Sequence, residues 1–283
     1  KVGNPDWSRI KYSRIWVDSC DQKTEISIAE INLAGNEWKL RGVAADDTST
    51  FEIADDSTMT VAVINTHDNP DYVAPPGVEG VIDPIQRIRS KEQSLVIRLD
   101  NLEPGATAKA QKQFYQPENL INYHKMKMFV HGGDTYNDIP ADRTIEFFLQ
   151  WGSDMSNYYE VRLPVFPGWD SRNNIEIAFE VLSRLKIEMS AAGQDTIEEL
   201  QPSGHTFRVI GKPSLTNVRQ LTIGVRNRGL SYFSGEVWIN ELRLSNVRKD
   251  KGMAMRAKAD IRLSDFISLV GEYNRKDADF HTI

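Results

Sequence analysis

The sequence is poor in features that mark several common classes of protein. Cys20 is its single cysteine, which excludes an internal disulfide and any metal site built from several cysteines. No apolar run reaches the length that a membrane-spanning helix needs. Positive charge is not in excess either, since the net charge is −6. Nucleic acid is therefore not an expected partner, because a binder would carry a basic stripe.

Motifs of the common enzyme classes are missing as well. The sequence contains no G-x-S-x-G elbow, no P-loop and no H-E-x-x-H. We therefore predict no catalytic residues, no cofactor-binding residues and no enzymatic activity. A glycoside hydrolase or lyase remains an alternative, and it would need two carboxylates that converge in a cleft.

Strand patterns dominate what is present. Residues 10–17 and 26–33 alternate apolar and polar side chains, as half-buried strands do. Similar runs follow at 94–99, 125–131, 144–151, 158–164, 174–179, 206–210, 220–226 and 236–244. Short strands at this spacing predict an all-β, jelly-roll-like β-sandwich. Two short helices are predicted, near 117–123 and near 181–191, where apolar residues of the second recur at helical spacing.

One strand motif occurs twice. Residues 26–33 (ISIAEINL) and 237–244 (VWINELRL) share the pattern [IV]-x-I-x-E-[IL]-x-L. Each copy follows another alternating strand, which favours duplication. The second copy is predicted to close a complete sandwich at 93–247. The first predicts that 1–43 is the C-terminal part of a preceding sandwich, so that the chain is a piece of a longer protein.

Between these segments, residues 44–92 change character. Acidic and turn-forming residues crowd this stretch, and its one apolar island is 59–64. It is predicted to be an acidic irregular excursion with at most one strand. The paired aspartates Asp46-Asp47 and Asp55-Asp56 are candidate ligands of a structural Ca²⁺, although solvated loop charge explains them better.

The C-terminal segment alternates without error. Residues 253–263 place Met, Ala, Ile and Leu on one face and mostly charged residues on the other. After a predicted tight turn at Ser264-Asp265, residues 267–273 repeat the pattern and end on an aromatic. Membrane β-strands run about 9–11 residues with this alternation. Residues 253–283 are therefore predicted to start a hairpin of a transmembrane β-barrel.

Aromatic residues offer the main rival function. Trp151, Tyr158, Tyr159 and Trp169 lie near predicted loop ends, where carbohydrate-binding modules carry aromatic platforms. These four are the candidate glycan or partner contacts, although core packing is the commoner role of aromatics. The histidines do not have the spacing of a metal site, and none is predicted to be a ligand; they are His67, His124, His131, His205 and His281.

The segment 235–273, GEVWINELRLSNVRKDKGMAMRAKADIRLSDFISLVGEY, resembles the SprA/Sov family. Residues 99–105 (LDNLEPG) and 122–131 (NYHKMKMFVH) are also similar to that family. Its members are outer-membrane translocons of the type IX secretion system of Bacteroidota and are tied to gliding motility. The resemblance covers most of the chain except 44–92.

This resemblance implies a very large single-chain barrel with soluble inserts, through which folded cargo crosses the outer membrane. It also implies three kinds of partner: a PorV-like shuttle protein, a plug protein and the secreted cargo. Short barrel turns face the periplasm, so a tight turn at 264–265 places the sandwich on the extracellular face. The periplasmic side is the alternative.

Overall fold

A computed structural model describes residues 38–44, 58–82, 87, 89–133, 144–247, 254–263 and 267–276. Over these residues the chain is all-β with a single α-helix. In chain order the elements are β1 (Lys39–Ala44), β2 (Met59–Asn65), β3 (Gln93–Leu102), β4 (Thr107–Glu118), β5 (Tyr123–Gly132), β6 (Ile145–Asp154), β7 (Asn157–Pro164), a 3₁₀ turn (Ser171–Asn173), β8 (Ile175–Ala178), α1 (Phe179–Ala191), β9 (Thr196–Leu200), β10 (Thr206–Ile210), β11 (Val218–Asn227), β12 (Phe233–Val247), β13 (Ala254–Leu263) and β14 (Ile267–Lys276).

Two antiparallel sheets make the sandwich. The larger has seven strands in the order β1-β4-β11-β6-β7-β10-β9, and the smaller has five in the order β2-β3-β12-β5-β8. Neighbours in each sheet are seldom consecutive in sequence, so the chain crosses repeatedly between the sheets, as in jelly-roll folds. Strands β13 and β14 form a separate two-stranded sheet. The predicted all-β class and the sandwich are confirmed.

The core lies between the two sheets. Phe147 and Leu149 of β6 and Val237 and Ile239 of β12 are buried in one apolar cluster. Successive side chains of a strand point to opposite faces, so Trp238 lies on the outer face of the five-stranded sheet. This alternation leaves each sheet with an outer face of its own, and the candidate sites lie on those faces.

Most of the predicted elements are present. The runs that begin at 94, 125, 144, 158, 174, 206, 220 and 236 correspond to β3, β5, β6, β7, β8, β10, β11 and β12. The apolar island 59–64 is β2, and the helix predicted at 181–191 is α1, with Leu182, Leu185 and Met189 buried. The strands predicted at 10–17 and 26–33 and the turn at 264–265 lie outside the described residues.

The helix predicted near 117–123 is wrong. Strand β4 continues to Glu118, which pairs with Val218 of β11. A turn follows, in which the Leu120 N–H donates to the Leu215 carbonyl oxygen at 2.7 Å and the Tyr123 N–H donates to Leu120 at 3.1 Å. Pairing with β11 therefore overrides the local helical pattern of this stretch.

The sandwich also recruits chain from before residue 93. Strand β1 pairs with β4 at one edge of the larger sheet, and β2 pairs with β3 at one edge of the smaller sheet. The sequence predicts that residues 39–43 belong to the remnant 1–43 and that residues 44 and 59–65 belong to the excursion 44–92. The structure adds both segments to the sandwich predicted for 93–247.

The second copy of the repeated motif lies on β12, the central strand of the five-stranded sheet. Its pairing with β5 shifts register between Asn240 and Arg243, which marks a β-bulge. Glu241, the glutamate of the motif, has φ 48° at this bulge. The motif therefore contains a β-bulge in a central strand as well as the alternation of apolar and polar residues.

Replacing Glu176 with glutamine is expected to flatten the dependence of stability on pH. Lys125 and Lys127 reach the Glu176 carboxylate at 2.6 and 2.8 Å, and they lower its pKa from 4.5 to about 2. A depressed carboxyl pKa stabilises the fold above pH 4.5, and this contribution is lost as the pH falls toward about 2. Because Glu176 is half exposed, we expect less than about 1 kcal/mol.

Urea unfolding at pH 7 and at pH 3 measures this effect. Wild type should exceed Glu176→Gln in stability at pH 7, and the gap should shrink at pH 3. Glu103→Gln, at an exposed carboxylate, is the control and should show no such gap. An equal gap at both pH values would contradict the prediction.

Candidate functional site

The outer face of the seven-stranded sheet is polar. Its central row runs through successive cross-strand partners Gln111, Thr222, Gln150, Glu160 and Arg208 on β4, β11, β6, β7 and β10. The first four of these are at most 4% exposed. Buried polar side chains need hydrogen bonds inside the protein. Gln111, Gln150, Glu160 and Arg208 make such bonds, whereas Thr222 Oγ1 makes none among the described residues.

A second row lies two residues further along each strand. It consists of Lys109, Gly224, Phe148, Arg162 and Thr206. Lys109 is 3% exposed, and its Nζ lies 5.7 Å from the centre of the Phe148 ring. A Cβ on Gly224 would lie 2.3 Å from Phe148 Cζ, so this position requires glycine. We call these two rows the polar face.

Glu160 is the centre of the polar face. Its side chain is 0% exposed and accepts hydrogen bonds from Gln150 Nε2 at 2.5 Å, from Arg208 Nη1 at 2.7 Å and from Arg162 Nε. Arg208 also reaches Glu198 at the edge strand, at 3.1 Å. One buried carboxylate therefore holds two arginines in place on the sheet.

An aromatic cluster covers part of the other outer face, that of the five-stranded sheet. It consists of Tyr72, His131, Trp169 and Trp238. The His131 and Trp238 rings stack at 4.1 Å with an interplanar angle of 8°, and Trp169 meets His131 edge-on at 4.7 Å. Tyr72 completes the cluster at 5.7 Å from Trp238. The loop after β2 supplies Tyr72 and is thereby packed onto the sheet.

Hydrogen bonds pin this loop. The Tyr72 hydroxyl lies 2.7 Å from Ser94 Oγ and accepts from Asn240 Nδ2 at 3.0 Å. Trp169 Nε1 donates to the Val73 carbonyl oxygen at 2.8 Å. Burial raises the pKa of Tyr72 above its ordinary value. The hydroxyl therefore stays neutral to a higher pH than that of an exposed tyrosine.

The four aromatic residues singled out by the sequence do not form one platform. Trp151 and Tyr159 are 1% and 3% exposed and pack in the core, 5.8 Å apart. Burial raises the pKa of Tyr159 to about 12. Tyr158 faces outward beside the polar face, while Trp169 belongs to the aromatic cluster on the other sheet. A glycan could reach Trp151 only if the sandwich opened.

Histidines and acidic residues form no metal cluster within the described part of the chain. His131 stacks in the aromatic cluster, and His205 Nε2 lies 2.9 Å from the Arg172 carbonyl oxygen. His124 lies 3.6 Å from Glu180. The aspartate pairs at 46–47 and 55–56 and His281 are outside the described residues, so the Ca²⁺ site stays a prediction.

The C-terminal strands form an antiparallel hairpin. Its register pairs Ala257 with Tyr273 and Ala259 with Gly271 on one face. On the opposite face Lys258 pairs with Glu272, and Arg256 Nη2 reaches Glu272 at 2.7 Å. Opposite charges on neighbouring strands support a register, and a one-residue slip would exchange the two faces. The predicted hairpin is thus in the register that keeps its faces distinct.

The sequence did not indicate the polar face. The alternation predicts half-buried strands, whose polar residues face solvent, and it predicts no strand over the range of β4. A usable signal existed in the polar alternation of Thr107, Lys109 and Gln111 with small Ala108 and Ala110. Such alternation indicates a strand with one apolar face, but it does not show that the polar face is buried.

Comparisons with known proteins bear on the whole chain. A family model described as "Motility related/secretion protein", SprA_N, matches residues 1–283. A search of curated proteins returned no match. A solved structure titled "Structural analysis of an exo-beta-agarase" aligns with a TM-score of 0.41 at 9% identity, over 77% of this chain and 24% of that chain. This chain therefore spans about a quarter of that solved chain, and a likeness this weak carries no argument.

Proposed function

Because this chain belongs to the SprA_N family of motility related/secretion proteins, we propose that it serves a type IX secretion translocon of the outer membrane. In this proposal the sandwich is a soluble insert, and β13 and β14 are strands at the edge of the transmembrane barrel. The segment supports protein export and gliding motility without catalysing a covalent reaction. Its partners are a PorV-like shuttle protein, a plug protein and the cargo.

The observation that carries the proposal is the hairpin. Strands β13 and β14 are 10 residues each, which matches the ~9–11 residues of a membrane β-strand. Among the strands that the structure describes, neither pairs with a third strand. Within these two strands, residues 254–259 and 270–276 are exposed. Met255 is 47% exposed and Tyr273 is 52% exposed.

Physical chemistry favours further partners for such a hairpin. An isolated two-stranded hairpin is marginally stable in water at best, and its free edges expose unpaired N–H and C=O groups. A closed barrel removes the edges, and lipid covers the apolar face. Both costs disappear together if the hairpin continues into a barrel sheet.

None of the helices among the described residues is long and apolar enough to cross a membrane.

A pair of single-cysteine variants tests the hairpin. In the full-length protein in membranes, with Cys20 and any cysteine outside these 283 residues replaced by serine, Ala257→Cys should resist a water-soluble thiol reagent and react with a lipid-soluble one. Lys258→Cys, the next residue on the opposite face, should show the reverse preference. Equal reactivity of the two variants toward the water-soluble reagent would show that no lipid covers the Ala257 face.

Placement of the sandwich outside the cell is a separate part of the proposal. Leu230 is 98% exposed in the loop after β11, so Leu230→Cys reports on the compartment without disturbing the core. A membrane-impermeant reagent should label it on intact cells. Labelling that needs a breached outer membrane would place the sandwich in the periplasm.

A further inference from the structure

Strand β9 is an open edge of the seven-stranded sheet. It pairs with β10 and with no other strand that the structure describes. Leu200 is 70% exposed, and the Glu198 side chain is 64% exposed. These exposed fractions leave room for another strand to approach β9 from the side opposite to β10.

Backbone hydrogen bonds decide which groups of β9 point to that open side. The Gly211 N–H donates to the Asp195 carbonyl oxygen at 2.8 Å, just before the strand. Just after it, the Gln201 N–H donates to the His205 carbonyl oxygen at 2.8 Å. In an antiparallel pair, hydrogen-bonded residues alternate with residues whose backbone groups point away from the partner strand. In the register of β9 with β10, three residues therefore present their N–H and C=O groups to the open side. They are Thr196, Glu198 and Leu200.

The edge lacks the usual protections against strand pairing. Natural sheets guard exposed edges with lysine, proline, β-bulges or very short strands. Strand β9 reads Thr-Ile-Glu-Glu-Leu and pairs with β10 without a register shift, so it contains no lysine, proline or bulge. Its five residues are an ordinary strand length. This edge is therefore suited to accept another strand, which is a common mode of peptide recognition.

The side chains of β9 extend the polar face and indicate what the added strand should carry. Glu198 lies opposite Arg208, which in turn lies opposite Glu160. Charges along this row therefore alternate in sign, and a basic residue on the next strand would continue the alternation. In the second row Leu200 lies opposite Thr206 and is exposed, so an apolar residue beside it would cover its surface.

A second copy of this chain is a poorer occupant of the edge than a different protein. Strand β9 has two glutamates and no basic residue, and the exposed Asp195 precedes it. Two copies would bring these acidic strands together, and like charges on opposed strands are destabilising. We propose that β9 docks an extended segment of a partner protein. The segment adds to the sheet as an eighth strand, with a basic residue opposite Glu198 and an apolar residue opposite Leu200.

NMR titration of the 283-residue chain with a peptide tests the proposal. The probe is the pentapeptide Val-Thr-Lys-Ile-Thr with both ends blocked, which in antiparallel register places its lysine opposite Glu198 and its valine opposite Leu200. It should bind with a Kd on the order of 1 mM and shift the amide signals of β9 most. Replacing its lysine with glutamate should weaken binding about tenfold. No binding up to about 10 mM, or equal binding of the two peptides, would overturn the proposal.

Methylation of the peptide backbone separates strand addition from contact between charged side chains. In the expected register, the N–H of the peptide's lysine faces β9 and the N–H of its isoleucine faces away. A methyl group on the lysine amide nitrogen should therefore weaken binding at least about tenfold. The same methyl group on the isoleucine amide nitrogen should change binding by less than about threefold. Equal effects of the two methyl groups would show that the peptide does not add as a strand.

Variants of Glu198 locate the binding on β9. Glu198→Pro removes an N–H that points away from β10, so the pairing of β9 with β10 should persist. Glu198→Ala loses the same carboxylate but keeps the N–H, and it is the matched control. Peptide binding should be about tenfold weaker in Glu198→Pro than in Glu198→Ala, with both shown to be folded by urea unfolding. Equal binding by the two folded variants would refute the site. Self-association of wild type that Glu198→Pro abolishes would instead make a second copy the occupant.

Discussion

Replacing Glu160 with glutamine is expected to lower the free energy of unfolding by about 3–5 kcal/mol. The Glu160 carboxylate is fully buried and holds Arg162 and Arg208, whose side chains are only 13% and 18% exposed. Glutamine keeps the shape but removes the negative charge, so Arg162 and Arg208 both lose the buried carboxylate, and Arg208 keeps its pair with the exposed Glu198. Urea unfolding at pH 7, followed by tryptophan fluorescence, measures the difference.

A matched control separates burial from charge pairing. Glu198 binds the same arginine, Arg208, but its side chain is 64% exposed. Glu198→Gln should therefore cost less than about 1 kcal/mol, as exposed ion pairs usually do. Equal losses in the free energy of unfolding for Glu160→Gln and Glu198→Gln would mean that the polar face is solvated. Glu160 would then stabilise the fold no more than an exposed carboxylate does.

The strands that the sequence predicted share one property. Each has β-branched or aromatic residues on its inner face, such as Ile223 and Val225 of β11 or Phe147 of β6. Strand β4 has Ala108 and Ala110 there, and alanine has little strand preference. Its conformation is decided by pairing with β1 and β11 on its two sides, and such tertiary pairing cannot be read from a local pattern.

The candidate sites divide in the same way. The hairpin was predictable because strict alternation of apolar and polar residues defines both of its faces. The cross-strand pair of opposite charges, Lys258 and Glu272, then supports the register. The polar face was not predictable, because it depends on which strands become neighbours. Arg226 and Glu146 are 80 residues apart in sequence. They lie opposite each other only because β11 and β6 are neighbours in the sheet.

The aromatic residues show the limit of reading function from residue type. Near a loop end, Trp151 and Trp169 have similar sequence surroundings. The first lies on the inner face of β6 and is buried, whereas the second hydrogen-bonds Val73 on the outside of the other sheet. The side of a sheet against which the ring packs, inner or outer, decides whether a tryptophan can meet a ligand.

Replacing Trp151 with alanine is expected to lower the free energy of unfolding by about 3–5 kcal/mol. Trp151 is among the largest fully buried side chains and packs against Tyr159, so its loss leaves a large cavity between the sheets. Urea unfolding of the 283-residue chain is the measurement. A loss below about 1 kcal/mol would show that Trp151 is not a core residue.

Trp151→Phe distinguishes a core role of Trp151 from a role as a glycan contact. Phenylalanine retains most of the buried volume and removes Nε1, which is buried without a hydrogen-bond partner among the described residues. Its cost should therefore be clearly smaller than that of alanine. If Trp151 instead contacted a glycan, Trp151→Phe would lose binding while remaining folded. Because the side chain lies in the core, we expect binding of any surface ligand to be unchanged in Trp151→Phe and to fail in Trp151→Ala only where the sandwich unfolds.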